Sequence, residues 1–157
     1  MPIPEGYHTV TPWIITRDSR QAMAFAARAF DAEEIAVVAM PDGSVGHAEM
    51  RIGDSVVMFF DSRPEWQDTP CFLRLYVEDG DATFKQALEA GATAVTEMTE
   101  LFFGDKVGRV RDPLGNVWWI QERLEDLDEA EAMRRMAMPR YADAMDYVTS
   151  ANVVPLR

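Results

Sequence analysis

Two side chains capable of acid/base or metal chemistry, His47 and Glu49, lie two residues apart in the segment GHAEMRI. Residues 45–52 alternate in polarity, which predicts a strand, and residues two apart in a strand share a face. An imidazole beside a carboxylate could bind a divalent metal ion or act as an acid/base pair. The alternative is a structural pair whose members satisfy each other by hydrogen bonding. The spacing leaves both interpretations open.

A second feature is the segment GRVRDPLGNVWWIQE at residues 108–122, which predicts a β-hairpin. Its centre, DPLGN, has turn chemistry, because proline fixes its own φ while glycine and asparagine tolerate positive φ. The flanking residues are apolar, aromatic or alternating, as in strands. Trp118 and Trp119 are neighbours in the second strand and therefore point to opposite faces. One can join the core while the other looks into a cavity.

These residues belong to an order of elements that occurs twice. In the first occurrence, Asp18 is the predicted N-cap of a helix, with Gln21 at the capping-box position three residues later. A polar segment with two prolines, 62–70, is interpreted as a linker. The predicted strands are 9–16, 35–40, 45–52, 55–61, 72–78, 93–97, 106–111 and 117–122, and the predicted helices are 18–30 and 81–90. The fold class is therefore α+β, with two βαβββ modules at 8–61 and 71–122 and a helical tail at 125–148.

Composition limits the possible partners and compartment. The 157 residues are expected to form a single domain, 1–157. A net charge of −12 argues against nucleic acid or an anionic membrane surface as the main partner. The single cysteine, Cys71, excludes an intramolecular disulfide and a cysteine metal cluster and suits a reducing compartment. No signal peptide or long apolar window is evident, so we expect a cytoplasmic protein.

Four sequence motifs carry a resemblance to a known family. They are GYHTVTP at 6–12, GHAEMRIGDSVVMFFD at 46–61, FGD with GRVRDP within 103–113, and an acidic-then-basic tail at 125–135. With the two modules, they resemble the glyoxalase, bleomycin resistance and ring-cleaving dioxygenase superfamily, the vicinal oxygen chelate fold. Within it, the sequence is most similar to the glyoxalase-like proteins associated with phosphonate gene clusters. The resemblance implies a curved mixed sheet around a cleft, and a homodimer.

The resemblance also implies four equivalent cleft positions that bind a divalent metal ion in catalytic members. Turn spacing places them at Thr11, Met58, Phe72 and Trp119, and the members of each equivalent pair are 61 residues apart. Metal-dependent relatives carry histidine, glutamate or glutamine at these positions, and none of the four residues here is such a ligand. We therefore predict no metal and no other cofactor. A divalent metal held by His47 and Glu49, with His8 or Glu122, is the alternative.

Strand alternation predicts which other side chains line the cleft. A two-residue turn at Gly53 and Asp54 predicts that Ile52 pairs with Ser55 and hence Glu49 with Met58. The resulting ligand-binding residues are Thr11, Trp13, His47, Glu49, Met58, Phe60, Phe72, Arg74, Tyr76, Trp119 and Gln121. Trp118 is assigned to the core, and Arg109 is a further cleft candidate. Glu122 has the wrong alternation for the cleft, and only a one-residue slip of the strand would bring it inward.

The predicted cleft is aromatic with a few polar groups, which is typical of a small-molecule site. The favoured function is binding or sequestration of an aromatic or partly anionic small molecule without turnover. One alternative is a metal-dependent or metal-free lyase, isomerase or dioxygenase that uses His47 and Glu49 as candidate catalytic residues. A second is that the aromatic residues close the cleft as ordinary core, with Arg74 paired to Glu49. A third is a scaffold protein whose helical tail mediates assembly.

Overall fold

The computed structural model describes residues 2–154. The chain divides into a first compact unit that ends at Cys71 and a second that begins at Phe72. The first contains β1 (Trp13–Thr16), α1 (Ser19–Phe30), β2 (Glu33–Ala39), β3 (Val45–Ile52) and β4 (Ser55–Asp61). The second contains β5 (Phe72–Tyr76), α2 (Gly80–Glu89), β6 (Thr93–Glu100), β7 (Asp105–Arg111), β8 (Val117–Arg123), α3 (Glu129–Met136) and α4 (Pro139–Ser150).

Each unit is built on one βαβββ module with a mixed four-stranded sheet. The strand order is β1-β4-β3-β2 in the first sheet and β5-β8-β7-β6 in the second. In both sheets the first and last strands of the module pair in parallel, and the other pairs are antiparallel. The predicted α+β fold with two modules and a helical tail is thus confirmed. That the two units make a single domain stays a prediction.

The first helix begins and ends as its sequence predicts. The Asp18 carboxylate accepts a hydrogen bond from Gln21 N at 2.9 Å, so Asp18 is the N-cap. The helix buries an apolar stripe that includes Phe25 and Ala26. At its C-terminus, Asp31 adopts a left-handed conformation with φ of 53°, a position that usually carries glycine. Aspartate is among the few other residue types that tolerate it.

A carboxylate from the end of each module's last strand binds the N-terminus of that module's helix. Asp61 Oδ1 accepts from Ser19 N at 2.7 Å, and Glu122 Oε2 accepts from Gly80 N at 2.9 Å. A negative charge stabilises a helix N-terminus, where the first backbone N–H groups have no partner within the helix. This contact places Glu122 on the helix side of its sheet. The strand is therefore in the predicted register, without a one-residue slip.

The strand registers agree with the turn chemistry. The two-residue loop at Gly53 and Asp54 pairs Ile52 with Ser55 and Glu49 with Met58, as predicted. In the second unit Arg109 pairs with Trp119.

The DPLGN turn is organised by Asp112. One carboxylate oxygen accepts from the backbone N–H groups of Leu114 and Asn116, at 2.9 and 3.0 Å. The other accepts from Asn116 Nδ2 at 2.9 Å and from Trp118 Nε1 at 3.1 Å. Trp118 is 1% exposed, which confirms its assignment to the core. The turn and the core are thus joined through one side chain.

Element boundaries differ from the predictions mainly at β1, which begins at Trp13 rather than at Thr9. Pro12 has no N–H to give to a ladder, but its carbonyl accepts from Met58 N at 3.0 Å, so pairing starts there. In the tail, Pro139 begins a separate helix, α4, because proline is well tolerated in a first helical turn. No helix within residues 2–154 is both long and apolar enough to cross a membrane.

Candidate functional site

An open aromatic surface lies on one face of the first sheet. In β1, Ile14 is fully buried, whereas Trp13 is 44% exposed. The Trp13 ring makes edge contacts with the rings of His47 and Phe60, at centroid distances of 5.5 and 5.2 Å. Phe60 in turn contacts the ring of Trp66 at 6.3 Å. We call Trp13, His47, Phe60 and Trp66 the first-sheet aromatic cluster; three of its members were predicted site residues.

A hollow of about 470 Å³, the N-terminal hollow, lies beside this cluster. The predicted site residues Thr11, Glu49 and Met58 come together in its wall. Its complete lining is Pro2, Ile3, Pro4, Tyr7, His8, Thr9, Thr11, Glu49 and Met58. The N-terminal segment therefore forms one wall and the sheet forms the other.

Glu49 is the centre of a three-residue hydrogen-bond chain in this region. Its Oε1 lies 2.8 Å from His47 Nε2, and its Oε2 accepts a hydrogen bond from the Tyr7 hydroxyl. The bonds from Tyr7 and His47 lower the pKa of Glu49, while the bond to the carboxylate raises the pKa of Tyr7. Glu49 is thus ionised at neutral pH with both oxygens engaged. The hydrogen-bonded His47–Glu49 pair of the structural interpretation is present.

A second hollow of about 570 Å³, the linker hollow, lies against β1. Trp13 and Ile15 contribute to it from β1, and residues 62 and 65–71 form the remainder. Its lining is Trp13, Ile15, Ser62, Glu65, Trp66, Gln67, Asp68, Thr69, Pro70 and Cys71. Trp66 is not among the predicted site residues, because the composition of 62–70 indicates only a linker. A large aromatic residue in a polar connecting segment was the available signal.

The predicted site residues of β5 lie on the exposed face of that strand. Phe72 is 50% exposed, Tyr76 is 64% exposed, and Arg74 is also exposed. Leu73 and Leu75 alternate with them and are half-buried. This alternation matches the predicted assignment of side chains to the two faces of β5. That Phe72, Arg74 and Tyr76 bind a ligand stays a prediction.

Trp119 and Gln121 lie in more enclosed surroundings. The Arg109 guanidinium stacks over the Trp119 ring at 4.9 Å and donates a hydrogen bond to the carbonyl of Val148 in α4, at 2.5 Å. Trp119 also packs in a cluster with Val148 and neighbouring α4 residues. Gln121 is 3% exposed and donates a hydrogen bond to the carboxylate of Asp105. The tail helix therefore covers this part of the second sheet, and ligand binding by Trp119 and Gln121 stays a prediction.

The side chains at the four positions that the resemblance assigns to metal ligands do not suit a first-row metal ion. Thr11 offers a hydroxyl that bonds to the carbonyl of His8 at 3.3 Å, Met58 a thioether, and Phe72 and Trp119 aromatic rings. Such an ion prefers imidazole and carboxylate ligands. Within residues 2–154 no group of three or more His, Cys, Asp or Glu residues is arranged to hold a metal ion.

Comparison with known proteins agrees with this architecture. Residues 7–120 match the family described as the Glyoxalase/Bleomycin resistance protein/Dioxygenase superfamily. An uncharacterized protein of Mycobacterium bovis is 34% identical over 139 residues, covering 82% of this chain and 91% of the relative.

Two solved structures share the fold. TioX from Micromonospora sp. ML1 has a TM-score of 0.64 at 22% identity, covering 74% of this chain and 99% of TioX. A glyoxalase/bleomycin resistance protein/dioxygenase family enzyme from Burkholderia phytofirmans PsJN has a TM-score of 0.59 at 22% identity, covering 73% of this chain and 97% of that enzyme. From the matched residues and this fold, the chain belongs to the glyoxalase/bleomycin resistance protein/dioxygenase superfamily.

Proposed function

We propose that the protein binds a small aromatic molecule on the open face of its first sheet, without a metal ion. The observation that carries this proposal is the first-sheet aromatic cluster. Trp13 and Trp66 are 44% and 42% exposed, although both belong to a chain of ring contacts. Aromatic side chains supply large contact areas and prefer edge-to-face or offset ring arrangements. A planar aromatic ligand would find both a large contact area and favourable ring geometry on this surface.

The hollows beside the cluster have the size of a ligand site. Their volumes, about 470 and 570 Å³, fall within the range of roughly 300–1,000 Å³ typical of small-molecule pockets. Their walls combine apolar and aromatic side chains with a few polar groups, including Glu49 and Thr11. Polar groups of this kind set the orientation of a ligand, while the aromatic walls supply most of the contact area.

Metal independence follows from donor chemistry. The hydroxyl, thioether and aromatic side chains at the four metal-equivalent positions do not suit a divalent first-row ion. Glu49 has both carboxylate oxygens engaged by Tyr7 and His47. Glu122, an alternative ligand, holds the N-terminus of α2.

The second candidate is metal-free acid/base catalysis by His47. The Tyr7–Glu49–His47 chain favours it, because a carboxylate that accepts from Nε2 leaves Nδ1 of a neutral imidazole as a proton acceptor. In this arrangement Glu49 orients His47 and stays ionised. Turnover of a bound aromatic ligand that His47→Gln abolishes, with binding preserved, would establish this second function.

The binding proposal is tested by calorimetric titration with planar aromatic probes, beginning with acridine. We expect Trp13→Ala to weaken binding by about tenfold, because it removes the central ring contact. Ile35→Ala is the matched control, since Ile35 is 41% exposed on β2. Dialysis against EDTA should leave the affinity unchanged. Failure of every probe to bind, equal affinity in Trp13→Ala, or loss of binding after EDTA treatment would refute the proposal.

Three finer expectations are part of this proposal. They are a position in the branch associated with phosphonate gene clusters, a homodimeric assembly, and a cytoplasmic location. Each rests on the sequence reasoning. Gel filtration with light scattering would test the second directly.

A further inference from the structure

We infer that the linker hollow is a preformed subsite for a planar aromatic cation. The inference rests on the proposed function, because it names the class of ligand that the open face of the first sheet would select. The sequence led us to expect an aromatic or partly anionic ligand, whereas the linker hollow favours an aromatic cation. Three properties of the hollow carry the inference: a wall held in place by Arg17, two tryptophan rings, and a carboxylate that forms no ion pair among residues 2–154.

The wall is braced by a single arginine. Arg17, directly after β1, pairs with Asp68 Oδ1 at 2.6 Å. The same guanidinium donates to three backbone carbonyls, those of Arg63 at 2.8 Å, Pro64 at 3.3 Å and Trp66. One side chain thus fixes four points of the linker relative to the sheet. A site that is ordered before binding avoids much of the entropy cost of ordering a loop around its ligand.

The aromatic walls are Trp13 and Trp66. Phe60 contacts both rings edge-on and so links them. The guanidinium of Arg63 lies 5.5 Å from the centroid of the Trp66 ring. This indole therefore already interacts with one cation, and the electron-rich face of tryptophan is the strongest aromatic partner for a positive charge.

The charge of the lining also favours a cation. Within the described part of the chain, the hollow is lined by two carboxylates, Glu65 and Asp68, and by no Lys, Arg or His side chain. Asp68 is already paired with Arg17, whereas no ion pair joins Glu65 to a base among residues 2–154. Glu65 is thus the side chain positioned to neutralise a cationic ligand. The net charge of −12 further raises the local concentration of cations.

The test compares probes of one shape and different charge. Acridine is neutral near neutral pH, N-methylacridinium is a permanent cation, and acridine-9-carboxylate is an anion. We expect calorimetric titration to show that N-methylacridinium binds about tenfold more tightly than acridine, and the carboxylate least tightly. This comparison of probes uses the wild-type chain of 157 residues.

Variants then locate the source of the preference. Glu65→Gln should weaken binding of N-methylacridinium by about fivefold and leave acridine unchanged. Glu34→Gln, on the far edge strand β2, removes the same charge elsewhere and should have no comparable effect. Trp66→Ala should weaken both probes, and Trp66→Phe should restore part of the affinity. Melting temperatures verify that each variant is folded.

The outcomes separate this inference from the proposed function. Equal affinity for acridine and N-methylacridinium, or tighter binding of the carboxylate, overturns the cation subsite but leaves aromatic binding intact. Equal losses in Glu65→Gln and Glu34→Gln overturn it as well, because the preference then comes from net charge alone. If no probe binds, the proposed function fails and the subsite fails with it.

Discussion

Glu49 and Arg109 occupy equivalent positions in the two sheets, yet they carry opposite charges. Glu49 pairs with Met58 and Arg109 with Trp119, and these two partners are 61 residues apart. In the first unit, Glu49 accepts a hydrogen bond from Tyr7 of the N-terminal segment. In the second, Arg109 donates one to Val148 of the C-terminal helix. In each unit, the residue at this sheet position forms a hydrogen bond with the segment that lies over the sheet. Glu49 is the acceptor in the first unit, and Arg109 is the donor in the second.

The scaffold beneath is the same in both units. Asp18 and Asp79 are the N-caps of α1 and α2, and each accepts a hydrogen bond from the backbone N–H three residues later at 2.9 Å. Asp61 and Glu122 then bind the first residue of the same helices. These contacts depend on local chemistry at equivalent positions. They hold each helix in the same way on its own sheet.

The covering segments make the two units different. In the second, α4 packs against the sheet through Val148, next to Trp119. In the first, the N-terminal segment and the linker each line a hollow, and Trp13 is half-exposed. The two units thus share the contacts that hold the helix on the sheet and differ in the segments that lie on the face of the sheet. Function therefore has to be argued from the covering segments.

The largest expected effect tests whether α4 is integral to the second unit. Tyr141 of α4 is 2% exposed, so Tyr141→Ala should lower the free energy of unfolding by about 3 kcal/mol. The matched change on the open face, Trp13→Ala, should cost about 1 kcal/mol or less, because that ring is half-exposed. Urea denaturation measures both. Equal losses would contradict the distinction between a covered and an open sheet.

An intermediate effect tests the repeated contact at the helix N-termini. Asp61 also accepts from Val45 N, at 2.8 Å, and so joins the helix N-terminus to β3, whereas Glu122 accepts from Gly80 N of its helix. We expect Asp61→Ala to cost about 2 kcal/mol and Glu122→Ala about 1 kcal/mol. Denaturation at neutral pH gives both values. A larger loss for Glu122→Ala would show that the two contacts are not equivalent.

The smallest effect concerns the hydrogen bond that holds the N-terminal segment. Tyr7→Phe removes the main cause of the lowered pKa of Glu49, so that pKa should rise toward its ordinary value of 4.5. A lowered folded-state pKa gives stability that is present above 4.5 and is lost as pH falls through the folded value. Wild type should therefore lose more stability on acidification than Tyr7→Phe.

Carboxyl carbon NMR titration measures this pKa directly, and urea denaturation at several pH values measures the stability. Tyr76→Phe removes an exposed tyrosine hydroxyl from the second unit and is the control. An unchanged Glu49 pKa in Tyr7→Phe would show that the phenol does not bind the carboxylate in solution.

Local features of the fold followed from the sequence. Asp18 and Gln21 marked the first helix because capping uses neighbouring residues. The loop at Gly53 and Asp54 set the register of Glu49 against Met58, because hairpin geometry is also local.

Features that depend on distant residues did not follow. Tyr7 and Glu49 are 42 residues apart, and no local pattern joins them. Strand alternation assigned Trp119 to a face, but it could not show that α4 lies on that face. Trp66 was not predicted for the same reason, because the hydrogen bond from Arg17 to its carbonyl joins residues that are 49 apart in the sequence. Alternation predicts the side of a sheet, whereas the covering of that side is a tertiary property.

The central claim, that the open face of the first sheet binds the ligand, is tested most directly by the indole N–H signals in NMR spectra. Trp13 and Trp66 belong to the first unit, and Trp118 and Trp119 to the second. Titration with whichever of acridine and N-methylacridinium binds more tightly should shift the signals of Trp13 and Trp66 and leave that of the buried Trp118 unchanged. A shift of Trp119 with Trp13 and Trp66 unaffected would contradict the claim.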